Sequence, residues 1–249
     1  MLKLRIIPIL TFNGFALVKT KQFGNPRMVG NPVQTARVYN ARGVDELVFL
    51  DIFASTQQRK LNLKLIGDVI KECFMPVAIG GGINTLEDIN DLLQIGADKV
   101  VIKAKALSDA LFIKEAVRFF GSQCISIAID ASPSEGKYFI KQNEAKELIS
   151  VGDFIDQMED CDVGEYILNA THHDGMMNGF DLDLINFVSG LTNKPIVAVG
   201  GAGNPAHFVT LFTNTTVEAV GSASIYHFTQ YTPLDVKLEL KKNGFPVRL

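Results

Sequence analysis

The sequence predicts the α/β class and, within it, a single (β/α)8 TIM barrel assembled from two half-barrel repeats. Three observations carry that expectation. Short β-branched apolar runs alternate with amphipathic helical stretches along the chain, the pattern of a parallel sheet with helical crossovers. The length, 249 residues, matches the roughly 250 typical of one closed barrel. A strand followed by a glycine turn occurs twice, about half a chain apart, as Val77-Ala78-Ile79-Gly80-Gly81-Gly82-Ile83 and Ile196-Val197-Ala198-Val199-Gly200-Gly201-Ala202-Gly203. A doubly wound open sheet is the alternative, but it gives no reason for equal halves with matching glycine turns.

Taken in order, strands are expected at residues 5–10, 46–51, 77–79, 99–102, 126–129, 166–169, 196–199 and 219–221. Each is short and rich in Ile, Val or Leu, as suits a strand buried on both faces. Helices are expected at 32–42, 60–73, 86–95, 109–120, 152–159, 181–189 and 205–213, where apolar residues recur at helical spacing. Asn31 before Pro32 and Asn204 before Pro205 mark two starts, a capping amide followed by a residue whose fixed φ suits the first turn. The halves also echo each other at strand ends. Ile6–Thr11 aligns with Ser126–Asp130, making Thr11 and Asp130 equivalent, and Lys99–Ala104 aligns with Ala219–Ser224. With no linker or low-complexity segment in view, residues 1–249 read as one domain.

Composition narrows the function classes. At 47% hydrophobic and 20% charged the chain reads as globular, and a net charge of −3 argues against a nucleic-acid partner. No apolar run reaches spanning length and the N-terminus lacks a signal-peptide layout, so a soluble cytoplasmic protein with no membrane partner is expected. Cys73, Cys124 and Cys161 form no CxxC pair and are expected as reduced thiols.

In such a barrel, chemistry gathers at the C-terminal ends of the strands. Asp51 and Asp130 close buried runs there and are candidate acids or bases; the alternative for each is capping the loop that follows. The glycine turns at Gly81-Gly82 and Gly201-Ala202-Gly203 are candidate phosphate cradles, acting with Lys103 and with Ser222-Ala223-Ser224 after the next strands. Tight turns without a ligand remain the alternative. Lys19 lies in a long glycine-bearing stretch, residues 11–31, expected either as a lid over the mouth or as a solvated loop. The adjacent His172 and His173 invite a metal. Neighbours on an extended segment point opposite ways, so neither a metal nor a cofactor is expected. At the other end of the barrel, Arg5, Glu46, Lys99 and Glu165 stand at or just before strand starts, where two cations and two anions can form a ring of ion pairs.

These residues also carry a resemblance. Arg5-Ile6-Ile7-Pro8, Val44-Asp45-Glu46-Leu47-Val48-Phe49-Leu50-Asp51, Gly80-Gly81-Gly82-Ile83, Gly96-Ala97-Asp98-Lys99-Val100, Phe120-Gly121-Ser122-Gln123 and Gly200-Gly201-Ala202-Gly203 resemble, in order and over essentially the whole chain, the cyclase (synthase) subunit of imidazole glycerol phosphate synthase. The resemblance implies a (β/α)8 barrel that receives ammonia from a glutaminase docked on the N-terminal face and passes it to a phosphorylated small molecule at the mouth. It implies that Arg5, Glu46, Lys99 and Glu165 form the ammonia gate, that Asp130 is one of two catalytic aspartates, and that Lys19 is the mobile-loop lysine.

The likeness departs at the substrate end. Thr11 stands where the second catalytic aspartate is expected, and threonine takes no proton near neutral pH. Lys103-Ala104 replaces an Asn-Thr pair, His172 replaces an aspartate, and Met176 replaces a threonine. Leu17-Val18-Lys19-Thr20, Phe23-Gly24-Asn25-Pro26-Arg27, Val29-Gly30-Asn31-Pro32 and Glu72-Cys73-Phe74-Met75-Pro76 resemble a branch associated with acetamidino modification of bacterial surface sugars. That branch implies an additional ATP-dependent amidating partner. The expectation from sequence is therefore ammonia delivery for amidination of a nucleotide-linked sugar. The alternatives are an authentic cyclase of histidine biosynthesis, a partner-free sugar-phosphate isomerase, and a non-catalytic scaffold for the glutaminase.

Overall fold

The computed structural model describes residues 2–141 and 148–249. Eight strands of it form one closed parallel sheet: β1 (Arg5–Phe12), β2 (Leu47–Asp51), β3 (Val77–Gly80), β4 (Lys99–Ile102), β5 (Ile125–Ser134), β6 (Glu165–Ala170), β7 (Ile196–Val199) and β8 (Ala219–Ser222). Each strand pairs in parallel with the next, and β8 returns to β1 through the register Arg5↔Ala219 to Pro8↔Ser222. Closure leaves the barrel without a free edge. All eight expected strands form.

Closure sorts the side chains into two cores. Ile7, Ile9, Val48, Ala78, Val101, Ile167, Val197 and Ala219 point into the barrel. Their neighbours on the strands, such as Ile6, Leu10, Leu47 and Phe49, pack outward under the helices. This is the period-two alternation of a sheet buried on both faces. The inner layer includes Ala78 and Ala219, with Ala128 against it, so small side chains lie among the β-branched ones.

The outer helices are α1 (Pro32–Ala41), α2 (Leu63–Ile70), α3 (Leu86–Gln94), α4 (Ala110–Phe120), α5 (Val151–Glu159), α6 (Leu182–Ser189), α7 (Pro205–Asn214) and α8 (Pro233–Lys242). Asn31 and Asn204 cap α1 and α7 as expected, accepting from the N–H groups of Gln34 and His207. The last helix was not expected; Thr232 and Asp235 form a capping box at its start. Two short helices, Ala104–Ser108 and Ser224–Phe228, follow β4 and β8 and bring those loops over the mouth. Among the described residues, no helix is long and apolar enough to cross a membrane.

Two hairpins depart from the expected plain barrel. Leu17–Lys19 pairs antiparallel with Arg27–Gly30, and Leu17 also pairs with Phe12 at the end of β1. Beyond β5, Lys137–Lys141 and Leu148–Ser150 continue as antiparallel strands, with residues 142–147 outside the described set.

Candidate active site at the barrel mouth

A cavity of about 610 Å³ opens at the C-terminal ends of the strands, lined by Thr11, Lys19, Asp51, Gly81, Gly82, Lys103, Asp130, Gly201, Ala202, Ser222, Ala223 and Ser224. The structure thus gathers nearly every residue expected at this end, although they span the chain from β1 to β8.

Three carboxylates face this cavity, and each meets a cation. Asp130, on β5, receives Lys103 Nζ on Oδ2 at 2.6 Å and the Asn169 amide on Oδ1 at 2.9 Å. Asn169 lies opposite Asp130 in the β5–β6 register, so adjacent strands bring the two together. Asp174, after β6, accepts from Lys19 Nζ at 2.7 Å, a pair in which both side chains are 7% exposed. At that burial an unpaired charge would be costly, so the two groups hold each other in place.

Asp51 is engaged differently. Arg59 forks onto both of its oxygens, and the N–H groups of Phe53 and Ala54 also donate to Oδ1. With its side chain 1% exposed, Asp51 caps the loop after β2. Both oxygens are thus engaged by that loop, as the capping alternative expects.

Thr11, equivalent to Asp130 in the other half, donates its hydroxyl to the Val18 carbonyl. The first part of the stretch expected as a lid is tied to the barrel, while residues 21–28 are exposed. Leu17 and Val18 are buried, Lys19 belongs to a short strand, and Gln22 bonds the turn after β6 through Asp174 O and His172 O.

The two glycine turns differ. In the second, Gly200 and Gly201 both have φ of +99°, and a Cβ on Gly201 would stand 1.8 Å from the Gly179 carbonyl oxygen. Only glycine fits there. Beside it, Ser222 Oγ and Ser224 Oγ are buried with no hydrogen-bond partner among the described residues. Free hydroxyls next to a glycine turn suit the oxygens of an anion. Gly203 does not line the cavity. Its N–H donates to His207 Nδ1 at 3.2 Å. In the first turn the Gly82 N–H is already given to Ser55 Oγ at 3.2 Å, leaving Gly81 and Lys103. The repeat persists in the backbone: Lys103 (φ −125°, ψ −73°) and Ala223 (φ −133°, ψ −62°) open the two short helices alike.

After β6 the chain turns instead of running extended, so His172 and His173 do not diverge as expected. Their ring centroids lie 4.5 Å apart. His172 Nε2 meets Asp181 Oδ2 at 3.1 Å, and His173 Nδ1 meets the Gly179 carbonyl oxygen at 2.6 Å.

At the opposite face the ring closes. Arg5 reaches Glu46 at 2.8 Å and Glu165 at 3.0 Å; Lys99 reaches Glu46 at 3.0 Å and Glu165 at 2.8 Å. The bonded pairs on β1 and β6, and on β4 and β6, belong to non-neighbouring strands, so their contacts run across the barrel interior. Burial opposes charge on Glu165, but Lys99 and Arg5 outweigh it and lower its pKa. For Arg5 burial is likewise outweighed, by Glu165 and Glu46, and its pKa rises.

Sequence reasoning missed Arg59, the pairing of Lys103 with Asp130, the amide of Asn169, and a buried clamp between Lys237 and Asp45 at 3.0 Å. Apart from Arg59, which follows Asp51 by eight residues, these partners come from distant strands or helices.

A twofold-repeated (β/α)8 barrel, with a polar mouth at one end and an ion-pair ring across the other, defines the class. The model of the histidine biosynthesis protein family matches residues 5–232. The imidazole glycerol phosphate synthase subunit HisF of Staphylococcus saprophyticus is 43% identical, and those of Staphylococcus epidermidis and Staphylococcus aureus are 40% and 41% identical, each over the full length of both chains. The chain belongs to the imidazole glycerol phosphate synthase cyclase subunit family.

Proposed function

We propose that this chain is the ammonia-consuming cyclase subunit of a glutaminase-coupled imidazole glycerol phosphate synthase. The name shared by its relatives supports the histidine-biosynthesis reading, which the sequence left as the alternative, and lends no support to amidination. The observation that carries the proposal is the ring of Arg5, Glu46, Lys99 and Glu165. A closed ring of fixed charge across one barrel end would be an odd choice for stability alone, since partly exposed ion pairs contribute about 0–1 kcal/mol each. It suits a gate that opens for a small neutral molecule when a glutaminase docks on that face.

At the mouth, an acceptor phosphate would sit on Gly201, Ser222 and Ser224, with Lys103 and Gly81 available to a second anion. Asp130 is the group to position ammonia or take its proton. It must give up Lys103 to do so, since its other oxygen is held by Asn169.

One observation favours a second reading of the acceptor. Thr11, bonded to the Val18 carbonyl, puts no carboxylate at the strand end equivalent to Asp130, so ring closure by an acid–base pair from those two strand ends has one of them missing. In this reading ammonia goes instead to amidination of a nucleotide-linked sugar beside an ATP-dependent amidating enzyme. Incubation with the aminoimidazole-type bisphosphate substrate and ammonium salt separates the two. Turnover of about one per second or faster establishes the cyclase. Absence of imidazole product, with glutaminase binding intact, transfers the assignment to amidination or to a docking scaffold.

A further inference from the structure

We propose that His172, His173 and Asp181 bind a divalent transition-metal ion of the zinc type that pins the turn after β6 against the mouth. One ligand atom from each residue lies within 4.8 Å of the others. The 3.1 Å edge between His172 Nε2 and Asp181 Oδ2 is close to the ligand–ligand separation around a tetrahedral ion held at about 2.0–2.1 Å. Two imidazoles and one carboxylate select such an ion over magnesium or calcium, which prefer all-oxygen sites.

The surrounding contacts aim these ligands. A carbonyl oxygen only accepts, so Gly179 O fixes the proton of His173 on Nδ1 and leaves the Nε2 lone pair for the ion. Asp181 Oδ1 is occupied by the Leu184 N–H at 2.9 Å and the Tyr138 hydroxyl at 3.2 Å, which leaves Oδ2 for the metal. His172 is 30% and Asp181 9% exposed on their side chains, so the site is sheltered yet open on one side to a water or an anion.

The position gives the ion a purpose. The same turn carries Asp174, which holds Lys19, and the Gly179 N–H donates to the Gly201 carbonyl at 2.8 Å. Binding there would brace the Lys19 hairpin and the glycine cradle together.

The test is calorimetric titration of zinc chloride into the chelator-stripped full chain and three variants. Asp181→Asn keeps a residue able to cap α6, so it removes the ligand charge without unfolding the helix. One ion per chain is expected, with affinity at least about tenfold weaker in His172→Asn and Asp181→Asn and unchanged in His207→Gln. X-ray absorption of the wild-type complex should show imidazole scattering at about 2.0–2.1 Å. Absence of binding to the wild type overturns the proposal. So does binding that survives both ligand variants undiminished, which would place zinc elsewhere, at the thiols for example.

Discussion

Lys103 Nζ lies 2.6 Å from Asp130 Oδ2, so the best-placed acid–base group at the mouth is covered by a lysine from the neighbouring strand's end. Substitution at the two positions should separate their roles. Asp130→Asn is expected to lower product formation by about 100-fold or more, the scale of a lost acid–base group. Lys103→Met should chiefly raise KM for the phosphorylated acceptor. Steady-state kinetics of the reconstituted complex checks both, and equal losses in kcat would contradict the division.

Glu165 anchors the ring at the other end through Lys99 and Arg5. Because Arg5 and Lys99 keep 28% and 20% side-chain exposure, Glu165→Gln should cost about 2 kcal/mol, below the roughly 3–5 of a fully buried broken pair. The folded-state pKa of Glu165 is lowered from 4.5. Its stabilisation is therefore fully present above that value and lost as pH falls through the folded pKa. Denaturant melts should show the gap between wild type and Glu165→Gln at neutral pH, and show it closing only in acid below 4.5.

Lys237 is 1% exposed and joins α8 to Asp45, which also accepts from the Ile6 N–H. Ile6 follows Arg5 and Asp45 precedes Glu46, so one clamp steadies two members of the ring. Lys237→Met strands a buried carboxylate and should cost about 3–5 kcal/mol, readable as a fall in Tm.

Gly201→Ala should abolish the cradle, since φ of +99° and the Gly179 carbonyl 1.8 Å from the new Cβ act together. Gly43→Ala has φ of +60° but nothing within 4 Å, and should cost only about 1–2 kcal/mol. Soluble yield and phosphate binding of the two variants test the contrast.

Much of the fold was legible because its determinants are local. Runs such as 99–102 and 196–199 became strands with those bounds, and Asn31-Pro32 and Asn204-Pro205 started helices where a cap and a proline demand it. The hairpin at Leu17–Lys19 and Arg27–Gly30 was not legible, because glycines in that stretch read as a loop and only pairing onto β1 orders it. The ring was legible from strand-start positions. The Asp51–Arg59 pair was not, because Arg59 sits in an irregular loop with no periodicity to place it. Nor was the Lys103–Asp130 pair, which exists only once β4 and β5 lie side by side.

Under the proposed function, ammonia travels inside the barrel from the ring to the mouth. That passage is tested most directly in the complex with its glutaminase, by supplying glutamine labelled with nitrogen-15 at the amide in the presence of excess unlabelled ammonium. Mass spectrometry of the aminated product should find the label retained, as a sheltered passage requires. Product carrying nitrogen in the ratio of the bulk solution would rule out passage through the barrel.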